Sequence, residues 1–326
     1  MVVLMGTKSD GSTFEKEFSE RSEEIELAYQ GIETIDLTPL VNCTSLKKLN
    51  LSTNHIKNLD LFPLKNCVNL EYLYLLTNKL ANIDLTPIGY CSKLKEIDLG
   101  YNALKKIDFH ALSNCKNIEE INLEYNQLKR IDLAPLQACE QMKKFSVMGN
   151  QLEELNLIPM TNWTKLTNLY FAENKISQID LSPLSSCQEL NELWLAHNAL
   201  TEVNLSPLSS CRNLEWLSFR ANFLQALDLS PLNGNQKLKM LYLEHNKITE
   251  LDLSSLKACS NLEEIWFEGN PIKDIDISPL ASCKKLDEIA LPYQSLEKVI
   301  LDPKNVLPSQ YPEAIRKIRA KIEKYQ

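Results

Sequence analysis

Ten asparagines recur along this sequence at a constant spacing of 24 residues. A fixed period of this length indicates that one small structural unit is repeated, and that neighbouring units stack into a solenoid with a continuous core. The unbroken period therefore predicts a single repeat array, instead of the two globular domains that a chain of 326 residues commonly forms. The asparagines are Asn54, Asn78, Asn102, Asn126, Asn150, Asn174, Asn198, Asn222, Asn246 and Asn270.

The period extends on both sides of each asparagine. Residues 70–93 read LEYLYLLTNKLANIDLTPIGYCSK, and most units share the pattern LxxLxLxxNxLxxIDLxPLxxCxx. Two units depart from this pattern, because Trp163 and Asn235 stand in the cysteine position. Continuing the register outward adds one unit with Gln30 and one with Gln294 in the asparagine position, which makes twelve units in register.

The segment LxxLxLxxNxL resembles the leucine-rich repeat family, and twelve copies make this resemblance specific for fold. The resemblance implies an α/β fold: a curved, horseshoe-shaped leucine-rich-repeat solenoid with a concave parallel β-sheet of about 12 strands and short helical turns on the convex side. We predict an N-terminal cap over residues 1–21, a solenoid over residues 22–301 and a C-terminal capping helix over residues 302–326. The resemblance is only weakly specific for function.

Each position of the repeat has a structural role that the pattern predicts. LxxLxL alternates like a β-strand, and stacked units would pair these strands in a parallel sheet. The asparagine falls where the chain leaves the strand. Because its amide both donates and accepts hydrogen bonds, we expect it to connect one unit to the next. In the second half of the unit a hydroxyl residue precedes proline, as in Ser182-Pro183, which predicts a short helical turn capped by the hydroxyl.

Aspartate and cysteine form two further ladders. Asn156 and Asn204 replace the aspartate in two units, so this position requires a hydrogen-bond acceptor in a turn more than a charge or a calcium ligand. All nine cysteines lie in one repeat position, without the paired CxxC spacings of zinc sites and disulfide frameworks. We expect a buried ladder of free thiols in a reducing compartment, with no metal and no cofactor.

The two ends of the sequence provide expectations about the cellular compartment of the protein and about how the repeat array is capped. The first residues lack a positively charged leader followed by a long apolar stretch, and no apolar run approaches the ~20 residues that cross a membrane. We therefore expect a cytoplasmic protein without membrane attachment, and a monomer. Near the other end, Ile315, Ile318, Ile322 and Tyr325 fall on one helical face, which favours a helix that covers the last unit.

Residues between the strand leucines face away from the core, so a binding preference would be encoded there. Three of the four tryptophans lie in these positions, and with two tyrosines they fall on five successive strands. Trp and Tyr dominate binding energies at interfaces, and an exposed strip of them is costly in water unless a partner covers it. Alternatively, the rings only pack on one another and stiffen the sheet. The five residues are Tyr170, Trp194, Trp216, Tyr242 and Trp266.

The charges near this strip are mostly acidic, and the whole chain carries a formal net charge of −8. Carboxylates interleaved with aromatic rings favour a basic protein or peptide partner. They disfavour nucleic acid, whose affinity depends on phosphate neutralisation. His197 and His245 lie near the strip, but a zinc site needs further ligands. The charged residues predicted to contact the partner are Glu192, Glu244, Glu264 and Glu268, together with Arg220.

The sequence contains no Gly-rich phosphate loop, no GxSxG and no HExxH motif. Carboxylates such as Glu192 and Glu264, which we expect to lie near each other, stand on an open sheet where water prevents raised pKa values. The sequence therefore predicts a non-enzymatic protein-protein interaction scaffold. Two alternatives remain: an extracellular receptor or adhesin of the same fold, and a hydrolase that acts on a peptide or glycan in the groove.

Overall fold

The computed structural model describes residues 1–302 and 311–318, and the chain divides into two compact units, Met1–Leu166 and Thr167–Gln326. Both units repeat one element, which consists of a three-residue strand, a turn and a short 3-10 helix. The described residues contain twelve such parallel strands, six in each unit. The predicted parallel sheet with short helical turns is therefore confirmed.

The first unit opens with a β-hairpin and continues as a parallel sheet. Its strands are β1 (Val2–Lys8), β2 (Thr13–Phe18), β3 (Glu24–Glu26), β4 (Ile32–Asp36), β5 (Lys48–Asn50), β6 (Tyr72–Tyr74), β7 (Glu96–Asp98), β8 (Glu120–Asn122) and β9 (Lys144–Ser146). Strand β1 pairs antiparallel with β2 and β4, whereas β3 and β5 to β9 pair in parallel in chain order. The 3-10 helices are Thr38–Asn42, Phe62–Asn66, Thr86–Tyr90, His110–Asn114, Ala134–Leu136 and Ile158–Asn162.

The second unit repeats this arrangement. Its strands are β10 (Asn168–Tyr170), β11 (Glu192–Trp194), β12 (Trp216–Ser218), β13 (Met240–Tyr242), β14 (Glu264–Trp266), β15 (Asp274–Asp276), β16 (Glu288–Ala290) and β17 (Lys298–Ile300). Strands β10 to β14 and β16 pair in parallel, and β15 pairs with β17 in a separate parallel pair. The 3-10 helices are Ser182–Ser186, Ser206–Ser210, Ser230–Leu232, Ser254–Ala258 and Ser278–Ser282.

Both ends of the chain carry apolar residues that the sequence assigned to caps. In the hairpin, Phe14 is buried and Phe18 is half-buried. Residues 313–318 are helical, and Ile315 and Ile318 are buried, but Ile322 and Tyr325 lie outside the described residues. The boundaries of the two caps stay a prediction. None of the helices within the described ranges has the length and apolar character of a membrane span.

The asparagine side chain connects each 24-residue repeat to the repeat before it. Asn78 Oδ1 accepts the backbone N–H of Ile56 at 3.0 Å, and its Nδ2 donates to the carbonyl oxygens of Leu51 at 2.9 Å and Leu75 at 3.1 Å. One amide thus satisfies three backbone groups in a buried turn where water cannot reach them. This confirms the predicted role of the asparagine ladder, and the connection runs through the backbone of the preceding unit.

Aspartate caps the helical turns, so the prediction that the hydroxyl before proline is the cap was wrong. The residue at the cap position is a leucine such as Leu85, which makes no side-chain capping hydrogen bond. Asp84 Oδ1 instead accepts the backbone N–H of Thr86 at 2.8 Å, and hydrogen bonds from the side chain and then the backbone of Thr86 lower the pKa of Asp84. Asn156 accepts the N–H of Ile158 in the same way at 3.0 Å. The position therefore needs an acceptor and not a charge, as the sequence predicted.

The nine cysteines are buried as free thiols, which confirms the predicted ladder. Cys67 Sγ donates to the carbonyl oxygen of Leu40 in the preceding unit at 3.5 Å. Trp163 occupies the cysteine position of its own unit, and its indole Nε1 donates to the equivalent carbonyl of Leu136 at 3.0 Å. Burial raises the pKa of Cys67 to about 12, so the protonated thiol persists at neutral pH.

Replacing one ladder asparagine should destabilise the protein without changing its surface. Asn78→Ala leaves the buried N–H of Ile56 without an acceptor, while the carbonyls of Leu51 and Leu75 lose one donor each and keep those of Asn54 and Asn102. We expect a loss of about 1–3 kcal/mol in the free energy of unfolding, measured by urea denaturation. Asn82→Ala is the matched control, since Asn82 is exposed in the same unit. Equal destabilisation by the two substitutions would contradict the role assigned to Asn78.

The thiols should be protected from modification in the folded protein. At pH 8 a chromogenic disulfide reagent should label fewer than one of the nine cysteines before denaturation and all nine after it. The reason is that burial both hides the sulfur and keeps it protonated, while the reagent requires an accessible thiolate. Rapid labelling of several cysteines in the native protein would show that the ladder is open to solvent.

Candidate partner-binding face

Each of the parallel strands β10 to β14 and β16 in the second unit has three residues, and its middle residue is buried. We use the term strand face of the second unit for the surface formed by the two residues on either side of that middle residue, together with the residue two positions after the strand. In β11, Leu193 is fully buried, whereas Glu192 and Trp194 are half-buried on the opposite side. All ten residues predicted to contact a partner lie in such positions, within one unit: Tyr170, Glu192, Trp194, Trp216, Arg220, Tyr242, Glu244, Glu264, Trp266 and Glu268. That they bind a partner stays a prediction.

The five aromatic rings of the strand face form two groups. In the first, the ring centroids of Tyr170 and Trp194 lie 6.2 Å apart, and those of Trp194 and Trp216 lie 6.1 Å apart. In the second, the Tyr242 and Trp266 centroids lie 4.9 Å apart. Ser218 separates the two groups, because in the register of the sheet it lies between Trp194 and Tyr242.

Two indole nitrogens on this face are buried without a hydrogen-bond acceptor in the described structure. They are Nε1 of Trp194 and Nε1 of Trp266. A buried donor that loses its water without gaining another acceptor costs about 1–3 kcal/mol. Packing of these two rings against the sheet therefore reduces folding stability, and a role limited to stiffening the sheet does not explain this loss.

Tyrosine hydroxyls hold two glutamates of the strand face in place. Tyr170 donates from its hydroxyl to Oε2 of Glu192 at 2.8 Å, and Tyr242 donates to Oε2 of Glu264 at 2.8 Å. Burial, followed by this hydrogen bond to a carboxylate, raises the pKa of Tyr242 above its usual value. The hydroxyl therefore stays protonated at neutral pH and continues to donate.

The expected proximity of Glu192 and Glu264 was wrong. The register runs from Glu192 through Trp216 and Met240 to Glu264, so the two glutamates lie three strands apart. At a strand spacing of about 4.8 Å this places their backbones roughly 14 Å apart. The pair therefore lacks the geometry of two carboxylates that act on one bond.

The expectation that water prevents raised carboxyl pKa values fails for three other carboxylates of the sheet. Glu244 is only 2% exposed, and its burial raises its pKa. Arg220 Nε lies 3.4 Å from Glu244 Oε1 and opposes this shift, while Glu244 Oε2 has no hydrogen-bond partner among the described residues. In the first unit, burial likewise raises the pKa values of Glu96 and Asp98. The alternating pattern predicts which side of the strand a residue occupies, but large neighbouring side chains decide how much water reaches it.

An open depression of about 730 Å³ borders the strand face on the side where the strands end, and it was missed in the sequence. Its lining includes His245, Glu268, Pro271 and Tyr293. Gly269 also lines it, and with φ at +68° and no side chain it allows His245 Nδ1 to approach closely. Tyr293 is exposed, but it lies outside the strand positions, so strand alternation gave no signal for it.

The described residues offer no obvious metal centre on or near this face. No group of three or more His, Cys, Asp or Glu side chains within residues 1–302 and 311–318 is arranged to hold a metal ion. His197 and His245 therefore lack the additional protein ligands that a zinc site needs within this part of the chain.

Models of leucine-rich repeats match three regions of the chain. The model described as “Leucine rich repeat” matches residues 68–128 and 92–152, and “Leucine Rich repeats (2 copies)” matches residues 236–282. The model described as “BspA type Leucine rich repeat region (6 copies)” matches residues 125–228. None of the curated proteins matches the sequence.

Solved structures with the same fold come from bacteria and plants. The chain is 24% identical to an LRR protein of Leptospira interrogans, with a TM-score of 0.71 over 88% of this chain and 73% of that one. It is 27% identical to the functional domain of InlJ from Listeria monocytogenes, which includes a cysteine ladder, with a TM-score of 0.69 over 86% of this chain and 55% of that one.

A plant receptor has the same fold. The LRR ectodomain of the membrane receptor kinase GASSHO1/SCHENGEN3 from Arabidopsis thaliana, in complex with CASPARIAN STRIP INTEGRITY FACTOR 2, is 21% identical. Its TM-score is 0.73 over 86% of this chain and 38% of that one. At this identity, and at that of the Leptospira protein, the likeness shows the fold alone.

Neutralising Glu244 should change the pH dependence of stability. Because burial raises its folded-state pKa above the ordinary 4.5, the neutral form stabilises the fold at low pH, and this contribution is lost as pH rises through the raised pKa. Glu244→Gln should therefore be more favourable, relative to the parent protein, at pH 7 than at pH 4 in urea denaturation. The exposed Glu250 provides a control, Glu250→Gln, which should show no such difference. An identical effect of Glu244→Gln at both pH values would refute the assignment.

Proposed function

The chain belongs to the leucine-rich repeat family, and on that premise we propose that it is a non-enzymatic scaffold that binds a protein or basic peptide on the strand face of its second unit. Proteins of this family and fold are typically interaction modules. The array presents an extended surface that is already formed before binding, so little conformational entropy is lost when a partner docks.

The observation that carries the proposal is the grouping of five half-buried aromatic rings on five adjacent strands. Side chains on this face are not required by the repeat, since other units place asparagine, aspartate or serine in the same positions. Aromatic residues that the core does not need, two of which leave a buried indole N–H without an acceptor, are better explained by a partner that covers their rings.

The charges of the strand face favour a basic partner. Glu192, Glu264 and Glu268 carry carboxylates on this surface, whereas the one arginine, Arg220, is already paired with Glu244. A cationic side chain would meet both a carboxylate and a ring face, and each attracts it. The same charges would repel the phosphates of a nucleic acid.

The proposed cellular compartment is based on the state of the cysteine thiols. Nine buried free cysteines suit a reducing environment and so support a cytoplasmic protein, for which we propose a monomeric state. The similarity to the ectodomain of a plant membrane receptor supports the second candidate, an extracellular receptor or adhesin. Sequencing the N-terminus of the mature protein and titrating its thiols separates the two, because cleavage or disulfides would favour the second.

Removing one tryptophan from each aromatic group should weaken binding without unfolding the protein. We expect Trp194→Ala combined with Trp266→Ala to weaken partner binding about 30-fold or more, because truncation of an interface tryptophan commonly costs about 2 kcal/mol or more. The measurement is affinity capture with the parent protein, identification of the partner, and titration of that partner against both proteins.

The control for this experiment removes exposed apolar side chains elsewhere. Phe62→Ala combined with Ile158→Ala changes two exposed residues of the 3-10 helices, and it should leave binding intact. Circular dichroism and thermal melting of all variants establish that they fold. If the tryptophan variant unfolds, or folds and binds like the parent, the strand face of the second unit is not the binding site.

A further inference from the structure

Two carboxylates on the strand face are held in matching positions. Glu192 on β11 and Glu264 on β14 occupy the same place in the repeat, and both are half-buried. Each is fixed through Oε2 by a tyrosine on the preceding strand, Tyr170 or Tyr242, at 2.8 Å. Since a single hydroxyl occupies one oxygen of each carboxylate, the second oxygen can accept a hydrogen bond from a ligand.

No basic side chain of the described residues forms an ion pair with either of these carboxylates, and Glu96, which Tyr74 holds in the same way on β7, shares this property. By contrast, Glu120 pairs with Lys144 at 2.7 Å, and Glu215 pairs with Lys239 at 2.6 Å. Glu192 and Glu264 are therefore carboxylates that are already held in position and that have no cationic partner among the described residues.

Apolar side chains lie between the two carboxylates. In the same position of the repeat, β12 carries Trp216 and β13 carries Met240. Across the strands the surface thus presents a carboxylate, an indole, a thioether and a second carboxylate. Glu288 continues the row on β16, but Trp266 stands where a tyrosine would be needed, so no hydroxyl fixes that carboxylate in the same way.

The spacing of this row matches an extended peptide that crosses the strands. Three strand steps of about 4.8 Å separate Glu192 from Glu264 by roughly 14 Å. An extended chain advances about 3.3–3.6 Å per residue, so this distance corresponds to about four residues. Side chains of an extended chain alternate between two faces, and therefore a residue, the second after it and the fourth after it all face the same surface.

We propose that the strand face of the second unit recognises an extended segment with a basic residue, an apolar residue two positions later and a second basic residue two positions after that. This inference rests on the proposed function and specifies the partner of the same face. The two cations pair with Glu192 and Glu264, and the apolar side chain contacts Trp216 and Met240. Tyr170 and Tyr242 act as positioning residues that hold the carboxylates ready.

Synthetic peptides test the spacing directly. Three nine-residue peptides of identical composition would carry two lysines separated by three, four or five positions, with one leucine between them and serine and alanine elsewhere. Binding is measured by isothermal titration calorimetry at physiological salt. The peptide with lysines four positions apart should bind about fivefold more tightly than the other two, because an odd spacing turns one lysine away from the sheet. Equal net charge removes general electrostatic attraction as a cause of any difference.

Protein variants then assign each contact. Glu264→Gln should remove the spacing preference, and Glu264→Lys should restore tight binding to a peptide in which glutamate replaces the corresponding lysine. Tyr242→Phe should weaken the preferred peptide while leaving the thermal melting temperature nearly unchanged. Glu215→Gln is the matched control, because that carboxylate is already paired with Lys239, and it should retain the preference.

The outcomes separate this inference from the proposed function. Equal binding of all three peptides, or no rescue by the charge exchange, overturns the inference and leaves the binding face in place. Absence of binding by any peptide, combined with a captured partner that depends on Trp194 and Trp266, also overturns the inference alone. If no peptide binds and the tryptophan variant captures the same partner as the parent protein, both proposals are wrong.

Discussion

The structure depends on how the backbone is satisfied where each strand ends. A buried turn removes N–H and C=O groups from water, and the ladder asparagine supplies one acceptor and donor bonds to two carbonyls, as Asn78 does for Ile56, Leu51 and Leu75. Since the partners belong to two consecutive units, this side chain sets the register between them. Strand pairing, the cysteine ladder and the alignment of residues across the strand face all follow from that register.

The repeat pattern was sufficient to predict the fold, but it predicted local chemistry less well. The leucine and cysteine positions and nine of the ten ladder asparagines are buried in the structure, as the period indicated. Asp84 and its equivalents cap the helical turns, and the hydroxyl residues do not. In these 3-10 turns the carboxylate of Asp84 reaches the free backbone N–H of Thr86, the first residue of the turn. Periodicity identifies a position, and it does not reveal which of two adjacent acceptors has the better geometry.

The sequence predicted where the residues of the candidate site lie on the sheet, but it did not predict what surrounds their side chains. The sequence placed ten residues on one face of the sheet, and the structure has them there. The burial of Glu244 and the tyrosine contacts to Glu192 and Glu264 could not be anticipated, because they depend on side-chain conformations across neighbouring strands. These contacts are what distinguish two carboxylates from the other acidic residues of the face.

The modular bonding between units has an evolutionary consequence. Because the side chain of each ladder asparagine bonds only within its own repeat and the preceding one, a duplication or deletion of one 24-residue repeat preserves this type of contact between neighbouring repeats. Such an event between β11 and β13 would move Glu192 and Glu264 relative to each other by one strand spacing, about 4.8 Å, while each stayed beside the tyrosine that holds it. Copy number could then retune recognition in discrete steps, without any point mutation at the contact residues.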